Sequence, residues 1–211
     1  MSSPLQILRA HTQALHQSLE ATAVARALLA PDLTVAGYAA ILGVWAAGWQ
    51  ILEPALFATP FARTVPQLLP IPRAHLTFTD LHYLDAMLVA DPATRSARAD
   101  RCGTAAGVWA GTPTTLSGFI GACYVLRGAS LGGKVISRHL ERTLGLDAAH
   151  GAAFFNAESG DGLGWMQWMR CADEVLLTEN DIDAACRAAA DTFGLLVQMF
   201  SAQPVSSGSR S

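Results

Sequence analysis

Three glycines, Gly128, Gly132 and Gly133, fall within six positions of an apolar helical pattern that runs from Tyr124 to His139. Each glycine in a helix interior costs roughly 1 kcal/mol relative to alanine, so the three together cost about 3 kcal/mol. Bare backbone at that cost serves a kink, or approach by a partner closer than a Cβ permits. Gly128 and Gly132 lie one turn apart and share a face. The glycines alone leave two readings open: close helix packing through small residues, or a platform for a flat ligand.

The second group with chemistry to offer is His16. It shares a helical face with Leu8, Thr12 and Leu19, a spacing that directs the imidazole into the fold. A lone inward histidine is commonly a hydrogen-bonded core residue. Arg9 adds another possibility. Seven residues back is about 700° of rotation, about 20° off the same stripe, and about 10.5 Å along the axis. That matches the span from the iron of a haem to its propionates. One helix can therefore offer an axial nitrogen and a carboxylate-pairing guanidinium. His11 faces elsewhere, and His75, His82, His139 and His150 sit in loops or near helix ends. No pair has zinc-site spacing. There is no paired-acid arrangement, no G-x-S-x-G, no phosphate loop and no helical E-x-x-H.

The elements that must position these groups all read as helices. Residues 4–29 form one helical pattern, with Pro4 in the first turn and Pro31-Asp32 as the break. Thr34 caps a second helix to about Glu53. Residues 60–72, with four prolines, form a loop or broken turn. Thr79 or Asp80 caps a helix through Val89, and another covers 94–110. Thr112-Pro113 opens a long helix that continues through the glycines, kinked near its middle, to Leu144, with Gly145 as the stop. A glycine-rich loop spans 156–164, and Trp165–Leu177 and Asn180–Phe200 are the last helices. The pattern predicts one all-α domain of seven or eight helices over 1–200, with a polar disordered tail at 201–211.

Composition agrees. The chain of 211 residues is 51% hydrophobic and 15% charged, the balance of helices packed on helices. A net charge of −3 gives no electrostatic case for nucleic acid. Cys102, Cys123, Cys171 and Cys186 form no C-x-x-C pair, which fits reduced thiols in a cytoplasmic protein. Val35–Leu52 is apolar enough to imitate a membrane span, yet it is isolated and lacks flanking basic clusters. It reads as a core helix, with no membrane insertion.

Both ends of the chain resemble one family. Leu8-Arg9-x-x-Thr12-x-x-x-His16-x-x-Leu19-Glu20 looks like the haem-ligating helix of haem oxygenases, with His16 at the proximal histidine. Y-V-L-R-G-A-S-L-G-G-K-V-I-S-R-H-L, residues 124–140, looks like their distal helix, most similar to the branch associated with bacteriophytochromes. F-G-L-L-V-Q-M-F, residues 193–200, resembles the last helix of the family. The resemblance implies an all-helical fold with haem b sandwiched between the first helix and the glycine-kinked helix. Haem is then both substrate and cofactor, its iron held by His16. Dioxygen and electrons from an external donor, such as ferredoxin or a reductase, open the ring at a meso carbon. The products are biliverdin, carbon monoxide and ferrous iron, with a bacteriophytochrome as a recipient of biliverdin.

The same resemblance makes Gly128, Ser130, Gly132 and Gly133 the distal catalytic segment. It makes Arg9, Gln13, Tyr124, Lys134, Arg138 and Arg170 further haem contacts, the cations pairing the propionates. The chain departs from the family at one point. Many members carry aspartate after the first glycine, in G-D-x-S-G-G, where it orders distal water; here Ala129 stands in its place, and Leu131 stands where that pattern has serine. Ser130 is the nearest hydroxyl, about 100° round the helix from Ala129. The alternative function on the same fold is a non-catalytic carrier or sensor of haem or bilin.

Overall fold

The computed structural model describes residues 3–90, 109–157 and 164–202. Among them the chain forms nine α-helices and a short 3-10 turn: α1 (Pro4–Glu20), α2 (Ala23–Leu28), α3 (Val35–Phe57), α4 (Phe61–Thr64), the turn Pro66–Leu68, α5 (Ala74–Ala90), α6 (Leu116–Leu144), α7 (Ala153–Asn156), α8 (Trp165–Asp173) and α9 (Glu179–Ser201). No strand is present among the described residues, as the periodicity predicts.

Local chemistry explains most starts and stops. Ser3, Thr34 and Thr178 each place a side-chain oxygen on the third N–H of the helix that follows. Ser3 with Gln6, and Thr178 with Asp181, close reciprocal capping boxes. Gly145 ends α6 in the left-handed conformation at φ 67.

Four boundaries differ from the sequence expectation. The single helix over 4–29 is broken at Ala21–Thr22, where Thr22 turns extended and caps α2 with its own hydroxyl. α3 does not stop at Glu53 but carries Pro54 inside it and ends at Phe57. α5 begins at Ala74 rather than at Thr79 or Asp80. Its start is capped from α3, because the buried Glu53 carboxylate accepts the N–H groups of Arg73 and Ala74 at 3.0 Å. α6 begins after Thr115, which takes the capping role expected of Thr112, and it is helical without interruption across all three glycines. The expected helix over 94–110, Cys102, most of the 156–164 loop and the tail beyond 202 lie outside the described residues.

α9 is the spine of the packing. α6 and α1 each run along it and hardly touch one another, while α3 packs on α5 and on the far side of α9. Trp45, Trp49, Phe154, Phe155 and Phe200 form an edge-to-face cluster that joins α3, α7 and α9. Two buried arginines bridge elements: Arg73 lies between the Trp49 and Phe154 rings and donates to the Leu126 carbonyl. Arg127 donates to the Leu69 carbonyl above Trp168. Burial pulls the Arg73 guanidinium down to about 10, against the pull of the Glu53 charge. Cys123, Cys171 and Cys186 are free thiols. α3 and α6 are long and apolar enough to cross a membrane by length and composition, but 56% and 50% of those stretches are buried within the fold. That is how core helices behave.

Candidate functional site

α1 presents one buried stripe, Leu5, Leu8 and Thr12, with Leu15 and Leu19 half-buried further along. His16 lies at the edge of that stripe. Its side chain is 57% exposed, so the expectation of an imidazole turned into the core is corrected: the ring stands beside α9, edge-on to Phe193 at 5.8 Å. A core histidine would be covered, and this one is not. Its Nδ1 faces the Glu20 carboxylate at 3.5 Å. A proton held on Nδ1 leaves the Nε2 lone pair for a metal, the usual arrangement of a ligating imidazole and an outer carboxylate.

On α6 the three glycines separate into two kinds. A Cβ on Gly133 would lie 2.8 Å from the backbone oxygen of Phe155 in α7, so this glycine is explained by packing. Gly121 and Gly118, earlier in α6, also meet neighbours, the backbone of Ala185 in the first case and the Ala188 side chain in the second. By contrast, a Cβ on Gly128 or Gly132 would meet nothing within 4 Å. Packing does not account for these two. They share one face with Leu131 and Val135, by the 100° step of the helix. Leu131 and Val135 are 49% and 60% exposed, an apolar border beside a bare backbone.

Tyr124, half-buried on α6, has the Thr12 side chain of α1 near its hydroxyl. Burial pushes that hydroxyl up, while Thr12 and the Arg9 charge oppose the shift. Thr12 in turn donates to the Leu8 carbonyl at 2.9 Å. The Tyr124 ring stands 5.7 Å from Trp165, which stacks on Trp168. Arg9 and Gln13 are exposed on α1, Arg170 on α8, and Lys134 and Arg138 on the outer flank of α6. Exposed cations thus stand on α1, α6 and α8.

Two expected distal groups are not brought to the open face. Gly133 is spent on α7. Ser130 is half-buried and lies about 160° round the helix from Gly132. Ala129 packs against the apolar core, so no carboxylate or hydroxyl of the 129–131 segment projects from the face of Gly128 and Gly132. The best-formed hollows lie elsewhere, one lined by Ser137, Glu141, Asp147 and Asn156 and one by His82, Asp85 and Val89.

Sequence reasoning missed Glu20, Val135 and Phe193 as members of this site. Glu20 was signalled by its i,i+4 spacing from His16 and Val135 by the repeat 128, 131, 132, 135. Nothing in the local pattern marks Phe193.

The donor set suits haem: an uncovered imidazole on α1, bare backbone on α6 with an apolar border beside it, and exposed cations on α1, α6 and α8. Residues 3–202 match the model of the family described as heme oxygenase. The chain belongs to the haem oxygenase family. A heme oxygenase from Leptospira interrogans has the same fold, with a TM-score of 0.68 at 18% identity, covering 95% of this chain and 99% of that one. Heme oxygenase-1 of the cyanobacterium Synechocystis, solved in complex with heme, gives 0.62 at 14% identity, covering 94% of this chain and 91% of that one. No curated protein matches the chain at the sequence level. Membership and fold together support haem degradation as the broad function and haem as the ligand class.

Proposed function

We propose that this protein is a haem oxygenase that opens haem at a meso carbon to biliverdin, carbon monoxide and ferrous iron. Dioxygen and an external electron donor are the co-substrates. The observations that carry the reading are an uncovered His16 imidazole on α1 and a Gly128–Gly132 backbone on α6 that no packing contact explains.

His16 Nε2 is the proposed iron ligand, and Glu20 holds the ring in the tautomer that exposes it. A neutral imidazole lacks the strong electron push of a thiolate. Bound haem supplies the iron that activates dioxygen. The bare backbone of Gly128 and Gly132 would let bound haem and a small diatomic approach α6 more closely than side chains there would allow. Leu131 and Val135 exclude water from that side. With Ala129 packed against the core, no acid of the 129–131 segment would face bound haem, which would disfavour heterolysis of the O–O bond in competition with attack on the ring. Arg9, Arg170, Lys134 and Arg138 are proposed to pair the propionates and so select the edge that is attacked. Resemblance of residues 124–140 to the bacteriophytochrome-associated branch supports a bilin-binding photoreceptor as recipient of the product.

Ala129 favours a second reading, a haem or bilin carrier without turnover. One experiment separates the two: titrate the apoprotein with haemin, then add reductant under air in the presence of catalase. Loss of the Soret band with growth of a biliverdin band supports the oxygenase. A stable ferrous or oxygenated spectrum supports the carrier, and failure to bind haemin removes both.

A further inference from the structure

α6 does not rest on α9 alone. α7 is wedged between α5 and α6, and its Phe155 carbonyl presses on the bare backbone at Gly133. α7 is four residues long and has no cap from its own N-terminal side chain. A single turn leaves its starting N–H groups without intrahelical acceptors. Asp80, in the middle of α5, supplies them: one carboxylate oxygen accepts the Ala153 N–H at 2.9 Å, the other the Phe154 N–H at 2.8 Å.

The dependence is mutual. Asp80 is 1% exposed, and a buried carboxylate is costly unless hydrogen-bonded. The neighbouring Tyr38 hydroxyl is buried too and has no hydrogen-bond partner among the described residues. The Asp80 carboxylate is thus held by the two N–H groups of α7. Gly151, at φ 82, keeps the entering chain tight on α5, where a Cβ would run into Tyr83 and Leu84. Arg73, just ahead of α5, holds α6 a second time through its hydrogen bond to the Leu126 carbonyl. Gly128 and Gly132 lie between these two holds.

We infer that Asp80 is a positioning residue for the glycine face: by fixing α7 against Gly133 it sets how far the Gly128–Gly132 backbone stands from bound haem. The inference rests on the haem-binding reading of that face.

Asp80→Asn tests it, because the amide keeps the size but turns an NH2 toward one of the two N–H groups. Hydrogen exchange at Ala153, Phe154 and the Gly133–Ser137 amides should quicken about tenfold, with α1 unchanged. In the haem-loaded variant the iron–imidazole stretch should match wild type, since His16 sits on α1. The ferrous carbonyl stretch and the ratio of biliverdin isomers should shift. Gly133→Ala disturbs the same contact from the α6 side. Its effect on the carbonyl stretch should be non-additive with Asp80→Asn, because both residues act through α7; it carries the spectroscopic test alone if Asp80→Asn does not fold. Unchanged exchange at Gly133–Ser137 overturns the inference whatever haem does. So does a wild-type carbonyl stretch and isomer ratio in a variant whose α7 exchange has quickened, or strict additivity. Failure of the wild-type protein to bind haemin instead removes the functional reading itself.

Discussion

Gly132→Ala should make the apoprotein more stable and its haem function worse. In the interior of α6, alanine is favoured over glycine by about 0.8–1.0 kcal/mol. At Gly132 that gain meets no opposing term, because the added Cβ has no neighbour within 4 Å. For a domain of this size about 1 kcal/mol raises Tm by roughly 2–4 °C. The same substitution at Gly133 puts a methyl 2.8 Å from a backbone carbonyl oxygen. Overpacking of that kind costs about 1–3 kcal/mol, which exceeds the propensity gain, so Gly133→Ala should lose stability. The assay is thermal and denaturant unfolding of both apoproteins, followed by haemin titration and turnover. The expected result is opposite signs in stability, with weakened haem binding or turnover in Gly132→Ala despite its higher Tm; a bulkier residue at 132 should deepen the loss. A Gly132→Ala apoprotein less stable than wild type would refute the open face. A more stable variant with wild-type haem affinity and turnover would refute its use by a ligand.

Other substitutions probe the remaining parts. His16→Ala should abolish an axial-imidazole spectrum of the haemin complex; an unchanged spectrum removes His16 as the ligand. Glu20→Gln should lower the iron–imidazole stretching frequency and weaken haem affinity by up to about tenfold, at the low end for an outer-shell partner because the contact is exposed. Gly121→Ala drives a methyl into the Ala185 backbone at the α6–α9 crossing and should cost about 1–3 kcal/mol or more, read as a fall in Tm of the apoprotein. Asp181 is held below its ordinary value of 3.8 by hydrogen bonds from Ser117 and Thr178. A depressed carboxyl stabilises above the ordinary value and loses that contribution as pH falls through its folded-state value. The Tm difference between wild type and Asp181→Asn should therefore be full near neutrality and shrink below about pH 3.8.

How much was legible depends on how far each signal reaches along the chain. Thr34, Gly145 and the Thr178 start could be read directly, because a cap is satisfied within four residues. The start of α5 could not, since its cap is a Glu53 carboxylate twenty residues upstream. Asp80 looked like a helix cap and is one, but for α7, more than seventy residues on. Thr22 could have been seen, yet the hydrophobic repeat of residues 4–29 ran straight through it.

The sequence by itself determined the all-helical class and the family, and it offered the candidates for site chemistry: His16 with Arg9 on one stripe and three glycines on another helix. Those are matters of spacing along single helices. Only the tertiary structure decided what each group faces. It gave Gly133 to α7 and left Gly128 and Gly132 open; it brought His16 out beside Phe193 instead of into the core; and it turned Ala129 inward. Those outcomes depend on which helix comes to lie alongside. A bare backbone or an imidazole carries no local mark of its neighbour, so packing between distant segments has the last word.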